Sequence, residues 1–201
     1  MNVFVKLAPV GLAALVAACA SPSPAPVLLT LPPALAPVSA AAPAASSPLL
    51  AVRRVTIPEY LVSRRVRYRT DAATLAEWPN TYWAERIEIG VSREFASALR
   101  QQLPGWTLCD TNCSDQAPDL NLQVTLVPMD FLRSAQKLQA RARITVSGGG
   151  GGAAAKVLET KEIGVDIRAD TDSAQAQAQA ITTLIEKVAA ETAPMVRNAR
   201  P

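Results

Sequence analysis

Two neighbouring stretches decide the fold: DLNLQVTL at residues 119–126 and KLQARARITV at residues 137–146. Both alternate apolar and polar side chains, which is the pattern of a strand buried on one face only. Five glycines at 148–152 then provide a flexible connection to a returning strand at 156–167. These residues predict adjacent strands whose apolar side chains point to the same side.

Helical spacing appears on either side of these strands. One stripe over residues 83–103 comprises Ile87, Val91, Phe95, Ala98, Leu99 and Leu103, and a second helix is predicted at 172–192, capped by Thr171 or Asp172 and closed by Pro194. Further strands are predicted at 49–57, 64–70 and 106–109. The order of strands, helix, strands and helix predicts an α+β fold, with a single largely antiparallel sheet and two main helices packed on it.

The first residues, MNVFVKLAPVGLAALVAAC, have the pattern of a lipoprotein signal. Lys6 precedes an apolar run from Leu7 to Ala18, and small residues stand directly before Cys19. We therefore expect residues 1–18 to be a signal peptide and Cys19 to be the lipidated first residue of the mature chain. The alternative is an ordinary secretory signal with a cysteine there by chance.

Residues 19–48 are expected to be the lipidated cysteine and a tether, and residues 49–201 the folded domain. The tether contains eight of the chain's 16 prolines and would reach about 90 Å if fully extended. It also contains VLLTL at 27–31, which has the pattern of a short strand. If that strand docks on the domain, the free tether shrinks to two shorter pieces.

The composition excludes several kinds of active site. The chain has no histidine, which removes serine–histidine and cysteine–histidine catalysis and the commonest metal ligand. A net charge of +3 and only nine aromatic residues (3 Phe, 3 Trp, 3 Tyr) argue against a nucleic-acid partner. Glu59, Glu85 and Glu88 have no spacing that fixes an acid–base pair, so we expect no catalytic residue, metal or cofactor.

Cys109 and Cys113 are the cysteines that remain after Cys19. A disulfide is the default for such a pair in an oxidising compartment, where it would fix a turn. A free or metal-binding pair is the alternative.

Arginines line two of the predicted strands: Arg65, Arg67 and Arg69 on one, Arg141 and Arg143 on the other. One interpretation is a basic surface that binds anionic lipid headgroups or an acidic partner. The alternative is a sheet face that is only exposed to solvent. Tyr82 and Trp83 either pack the entrance of the first helix or anchor a partner.

Several segments in order carry a family resemblance. They are Cys19 with its preceding residues, the early VLLTLP segment, VRRVTIPEYL (52–61) with VRYRT (66–70), and TYWAE (81–85) leading into a helix that ends in QLPGW (102–106). The chain resembles the ABC-type transport auxiliary lipoprotein family of PqiC-like proteins. That resemblance implies a non-enzymatic domain similar in fold to the N-terminal domain of TolB.

The same resemblance implies a lipoprotein that faces the periplasm from the outer membrane. Its implied partner is an MCE-domain protein of the same lipid transport system. Ring-shaped oligomers are associated with the family, so the resemblance also allows a homo-oligomer. The residues after Cys19 are Ala20 and Ser21. In enteric bacteria an Asp at this place retains a lipoprotein in the inner membrane, so these residues also favour the outer membrane. The rival hypothesis is a small-ligand-binding or hydrolytic envelope lipoprotein, which a large apolar pocket with convergent polar groups would favour.

Overall fold

The structure is a computed structural model that describes residues 24–34, 47–109, 113, 116–149 and 156–199. The signal residues, Cys19, most of the second half of the predicted tether and most of the glycine run lie outside the described residues. The α-helices are α1 (Ile87–Gln102) and α2 (Ala174–Asn198), and two short 3-10 helices span Glu59–Leu61 and Arg133–Ala135. The strands are β1 (Val27–Leu29), β2 (Leu49–Val52), β3 (Arg65–Arg69), β4 (Leu75–Trp83), β5 (Thr107–Cys109), β6 (Leu120–Leu132), β7 (Lys137–Gly148) and β8 (Val157–Arg168).

The strands form one eight-stranded mixed sheet, and the α+β prediction is confirmed. Its longest pairings, β6 with β7 and β7 with β8, are antiparallel, as is β3 with β4. The short pairings are parallel: β1 with β4, β2 with β5 and β6, and β3 with β6. β6 is the centre of the sheet, because β7 occupies one of its edges while β2 and β3 share the other.

Both helices lie on the face of the sheet that carries the predicted apolar side chains. All six residues of the predicted α1 stripe are buried. They meet the inward rows of β6 and β7, which include Leu122, Val124, Leu138 and Ile144. The opposite face, which we call the outer face, has neither α-helix packed on it, and the short 3-10 helix Glu59–Leu61 contacts it through Tyr60. Its side chains are the polar members of the same alternating rows.

The bounds of both helices differ from the prediction. α1 begins at Ile87 rather than at residue 83, because Leu75–Trp83 forms a strand. Pro79 and Asn80 within it have the sequence pattern of a turn, so the strand is not predicted from the sequence. Asn80 has a φ of 49°, in the left-handed region that asparagine tolerates better than most residues. β4 therefore continues through an irregularity that looks like a turn in the sequence.

α2 continues past Pro194, where the sequence placed its end. Proline inside a helix removes one backbone hydrogen bond. Met195 and Val196, directly after it, are fully buried, so packing of the last turn outweighs that loss. The N-cap is Ser173 rather than either predicted residue, Thr171 or Asp172, and its hydroxyl accepts a hydrogen bond from the backbone N–H of Ala176 at 3.1 Å.

Residues 24–34, inside the predicted tether, pack on the domain, and we call them the N-terminal strap. The strap contributes β1 at the sheet edge, where its register aligns Leu28 with Tyr82. Leu29, Leu31 and Ala34 are buried in the same core as the helices. Of the two outcomes that the sequence allowed for residues 27–31, the structure shows the docked strand.

Candidate interaction surface

The outer face of the sheet carries both predicted rows of arginines. Arg69 is in register with Leu132 of β6, which in turn is in register with Lys137 of β7. Side chains that are neighbours in register point to the same face, and those two residues apart along a strand do so as well. The row Arg65, Arg67 and Arg69 and the pair Arg141 and Arg143 therefore share one face, with β6 between them.

Much of the β3 row is neutralised within the protein. Arg65 and Arg67 both pair with Glu77 of β4, with nitrogen–oxygen distances of 3.3 Å. Arg67 also donates to the carbonyl of Tyr60 at 2.7 Å, which ties β3 to the loop before it. Two guanidinium groups thus share one carboxylate, and the row keeps part of its positive charge.

Arg69 is part of a polar cluster at the other end of the row. Its Nε lies 2.8 Å from one oxygen of Asp130, and the Tyr60 hydroxyl donates to the other oxygen at 2.8 Å. Partial burial, and then the hydrogen bond to the Asp130 carboxylate, raise the pKa of Tyr60 above its usual 10. The hydrogen bond to Asp130 likewise raises the pKa of Arg69. The geometry gives Arg69 a structural role and leaves it little freedom to bind a partner.

The remaining basic groups of this surface differ in how they are paired. Arg143 lies 3.8 Å from Glu162, and both side chains are exposed. The side chains of Arg64 and Arg141 are exposed and have no ion pair or hydrogen bond among the residues that the structure describes. Arg64 precedes β3 and was not singled out by the sequence, because it lies outside the alternating row.

The edge strand β1, which is separated from β3 by β4, carries exposed apolar side chains. In β1, Val27 is 42% exposed and Leu28 is 58% exposed. Leu28 is in register with Tyr82, which is in register with Arg65. The Arg65 guanidinium stacks over the Tyr82 ring at 5.2 Å from its centroid. An apolar, an aromatic and a basic side chain therefore stand side by side across three strands.

A shallow groove of about 640 Å³ opens between these side chains, and we call it the edge groove. Pro26 and Leu28 form one wall, and Arg64, Arg65 and Arg67 contribute to the other. Trp83, by contrast, is buried in the core and packs the entrance of α1, as the first alternative for this residue predicted.

The strap is attached at several points along its length. At its start, the side-chain amide of Asn80 donates to the carbonyls of Pro24 and Ala25 at 2.8 and 2.9 Å. Near its end, the Thr182 hydroxyl of α2 donates to the carbonyl of Pro32 at 3.0 Å. The buried carboxylate of Glu94 accepts from the backbone N–H of Ala34 at 3.0 Å. The strap thus crosses from the sheet edge to both helices.

The cysteine pair and a second cavity lie at the opposite end of β6 from Arg69. Cys109, the last residue of β5, is disulfide-bonded to Cys113, with Cα atoms 5.7 Å apart. A cavity of about 800 Å³ is lined by residues at or near the ends of strands and of α2, including Pro118, Gly149 and Asn198. Of its two carboxylates, Asp119 already accepts from the backbone N–H of Leu49 at 2.7 Å. The other polar side chains in its described lining are those of Glu159 and Asn198.

Two further observations concern membranes and metals. Within the described ranges, no group of three or more Cys, Asp or Glu side chains is arranged to hold a metal ion. No helix in the same ranges is long and apolar enough to cross a membrane.

A family model and two named relatives match the chain in sequence. The family model of the ABC-type transport auxiliary lipoprotein component matches residues 29–193. The chain is 30% identical over 74 residues to proteins named intermembrane transport lipoprotein PqiC, from Escherichia coli K12 and from Shigella flexneri. That match spans 37% of this chain and 40% of the length of each relative.

Solved structures share the fold at low sequence identity. A crystal structure of an uncharacterized protein matches with a TM-score of 0.67 and 18% identity, covering 86% of this chain and 99% of the other. A Xanthomonas campestris protein of family DUF330 matches with a TM-score of 0.60 and 14% identity, covering 87% of this chain and 94% of the other.

Proposed function

Since the chain belongs to the ABC-type transport auxiliary lipoprotein family, we propose that it is a non-catalytic component of an intermembrane lipid transport system. The observation that carries the proposal is the family match over residues 29–193, which begins at the last residue of β1 and includes the other seven strands, α1 and most of α2. The name of the PqiC relatives, intermembrane transport lipoproteins, supports the same function.

In this proposal, residues 1–18 are removed and Cys19 carries the acyl chains that anchor the domain in the outer membrane. Acyl chains on one residue hold a protein at a membrane without a spanning helix. The residues after Cys19, Ala20 and Ser21, favour the outer membrane, and the domain then faces the periplasm.

The partner in this proposal is an MCE-domain protein of the same system, which the anchored domain docks at the membrane. The mechanism is geometric: acyl chains fix the domain in place, and its protein-facing surface recruits the transport machinery. Self-association into a ring would multiply the contacts that each partner makes and so raise the avidity of docking.

Replacement of the anchor tests the proposal. We expect Cys19→Ser to leave the domain folded, with an unchanged denaturation midpoint, and to move the protein from the membrane fraction to the soluble fraction. The matched control is Cys109→Ser with Cys113→Ser, which removes the disulfide and leaves Cys19, and with it membrane attachment, intact. Crosslinking in cells that express an MCE system should recover the MCE-domain protein with the wild-type chain, and failure to recover it would contradict the docking role.

A further inference from the structure

We propose that the edge groove, whose wall includes Leu28, is the surface that rests on the bilayer, and that Arg64 and Arg65 there bind the phosphate of an anionic lipid headgroup. This inference rests on the lipidation of Cys19 put forward above. It adds an orientation of the domain and a headgroup site to the anchor.

The first step is the length of chain between the anchor and the folded domain. The strap is fixed from Pro24 onward, because Asn80 holds the carbonyls of Pro24 and Ala25. Five residue steps separate Cys19 from Pro24, and a fully extended chain covers at most about 18 Å in five steps. The sheet edge at β1 is therefore confined to the neighbourhood of the acyl chains, far short of the reach of about 90 Å expected for the whole tether.

The second step is the chemistry of the confined edge. Val27 and Leu28 expose 42% and 58% of their surface three and four residues after Pro24. Tyr82 stands next to Leu28 in register. Exposed aliphatic side chains beside a tyrosine suit the boundary between acyl chains and headgroups, where an aromatic ring with a polar tip is favoured.

The third step is charge. Arg64, Arg65 and Arg67 line the edge groove and face a single carboxylate in it, that of Glu77. Arg64 is exposed with no side-chain partner among the described residues, and the side chain of Arg65 is 50% exposed. A guanidinium group binds phosphate oxygens through two parallel N–H donors, which makes arginine well suited to lipid phosphates.

The short connection between Cys19 and Pro24 also indicates which kind of partner occupies the edge groove. With Cys19 lipidated, lipid headgroups are always present within the distance that the short connection allows. A soluble protein partner would have to reach the same groove between the domain and the membrane. The confined position, the exposed apolar edge and the excess of arginines together favour the bilayer surface as the occupant.

Photocrosslinking of the anchored full-length protein tests this surface. The lipidated protein is reconstituted in vesicles of equal parts phosphatidylcholine and phosphatidylglycerol, with benzoylphenylalanine in place of Leu28. The matched control carries the same group in place of Leu158, an exposed apolar residue at 43% on the β8 edge. We expect lipid adducts at position 28 to exceed those at position 158 severalfold by mass spectrometry.

Charge variants test the headgroup site in the same vesicles. Arg64→Gln should lower the lipid adduct at position 28 about fivefold, the factor for one arginine near an anionic surface, and should have no effect in pure phosphatidylcholine. Arg141→Gln is the matched control, because Arg141 is equally unpaired but lies two strands away from β3. It should leave the adduct unchanged.

The outcomes separate this inference from the function on which it rests. A mature protein whose mass shows no acyl chains on Cys19 would overturn the anchor itself. With Cys19 acylated, equal lipid adducts at positions 28 and 158 would overturn the bilayer-facing edge and leave the anchor standing. A protein adduct in place of a lipid adduct at position 28 would also overturn it, in favour of a protein partner.

Discussion

Trp78 and Gln177 join the sheet to α2 through a buried hydrogen bond. The indole N–H of Trp78 donates to the Gln177 side chain at 2.7 Å, and the Gln177 amide donates to the carbonyl of Arg67 at 2.7 Å. Both side chains are buried, so loss of the indole leaves a buried acceptor without a partner. We expect Trp78→Phe to lower the free energy of unfolding by about 1–3 kcal/mol beyond the loss of ring area, measured by chemical denaturation.

Trp106 provides the control for this substitution. It is buried to a similar degree, and its indole makes no hydrogen bond with the described residues. Trp106→Phe therefore reports the loss of ring area without the loss of a hydrogen bond to the described residues. Equal losses of stability in the two variants would show that the bond to Gln177 contributes nothing.

Tyr60 gives the surface a measurable dependence on pH. Burial and the Asp130 carboxylate raise the pKa of this phenol in the folded protein. The stability that this shift contributes is complete below about pH 10 and is lost as the pH rises through the folded-state pKa. We expect Asp130→Asn to lower the pKa of Tyr60, because it removes the carboxylate and leaves the Arg69 cation beside the phenol.

The measurement is an ultraviolet titration of the phenolate, taken as the difference between each protein and its Tyr60→Phe variant. That difference isolates one of the three tyrosines in the chain. A Tyr60 pKa that stays the same or rises in Asp130→Asn would contradict the assigned hydrogen bond.

The arginine rows show where sequence reasoning about single side chains stops. Alternation correctly places Arg65, Arg67 and Arg69 opposite the buried Val66 and Tyr68. It does not show that Glu77 and Asp130, from other strands, take up much of their charge. A pairing across strands depends on register, and register is a property of the assembled sheet.

The strap is the element whose packing most changes the expected organisation of the chain. Leu31 is 4% exposed within it, whereas Leu28 is 58% exposed. Removing a buried leucine side chain leaves a cavity, so Leu31→Ala should lower the free energy of unfolding by about 2–5 kcal/mol. Leu28→Ala should change it by less than about 0.5 kcal/mol.

Chemical denaturation of the two full-length variants measures both free energies of unfolding. The comparison is matched, because both variants replace a leucine of the strap by alanine. Equal, small effects would indicate that the strap does not pack on the domain in solution. That result would restore the long tether over residues 20–48 that the sequence suggests.

Elements with clean periodicity were predictable, and those with mixed signals were not. The stripe of α1 and the alternation in β6 and β7 were identified because one face of each is buried. β4 was missed because Pro79 and Asn80 interrupt it, and the end of α2 was misplaced because Pro194 has the local pattern of a helix end. In both cases, packing against distant segments outweighs a local preference.

The short connection between Cys19 and Pro24 sets how far the intact domain stands from its anchor. A flexible insertion of about 20 Gly and Ser residues between Ser23 and Pro24 would add an average reach of roughly 25 Å. We expect this variant to stay folded and membrane-bound, and its lipid adduct at position 28 to fall severalfold. An insertion of the same length within the glycine run at 148–152 is the control and should leave the adduct unchanged.

An adduct that persists after the insertion at Pro24 would contradict the role of the short connection. The edge groove would then hold the bilayer through its own affinity alone.

Composition and local pattern were sufficient for the fold class, the two helices and the long strands, and the anchor at Cys19 stays a prediction from the sequence. These follow from properties of neighbouring residues, namely hydrophobic periodicity and the apolar run of a signal. The docking of the strap, the pairing of the arginines and the position of the edge groove required the folded chain. They depend on contacts such as Asn80 with Pro24 and Arg69 with Asp130, between residues more than 50 positions apart, which exist only after the sheet has set its register.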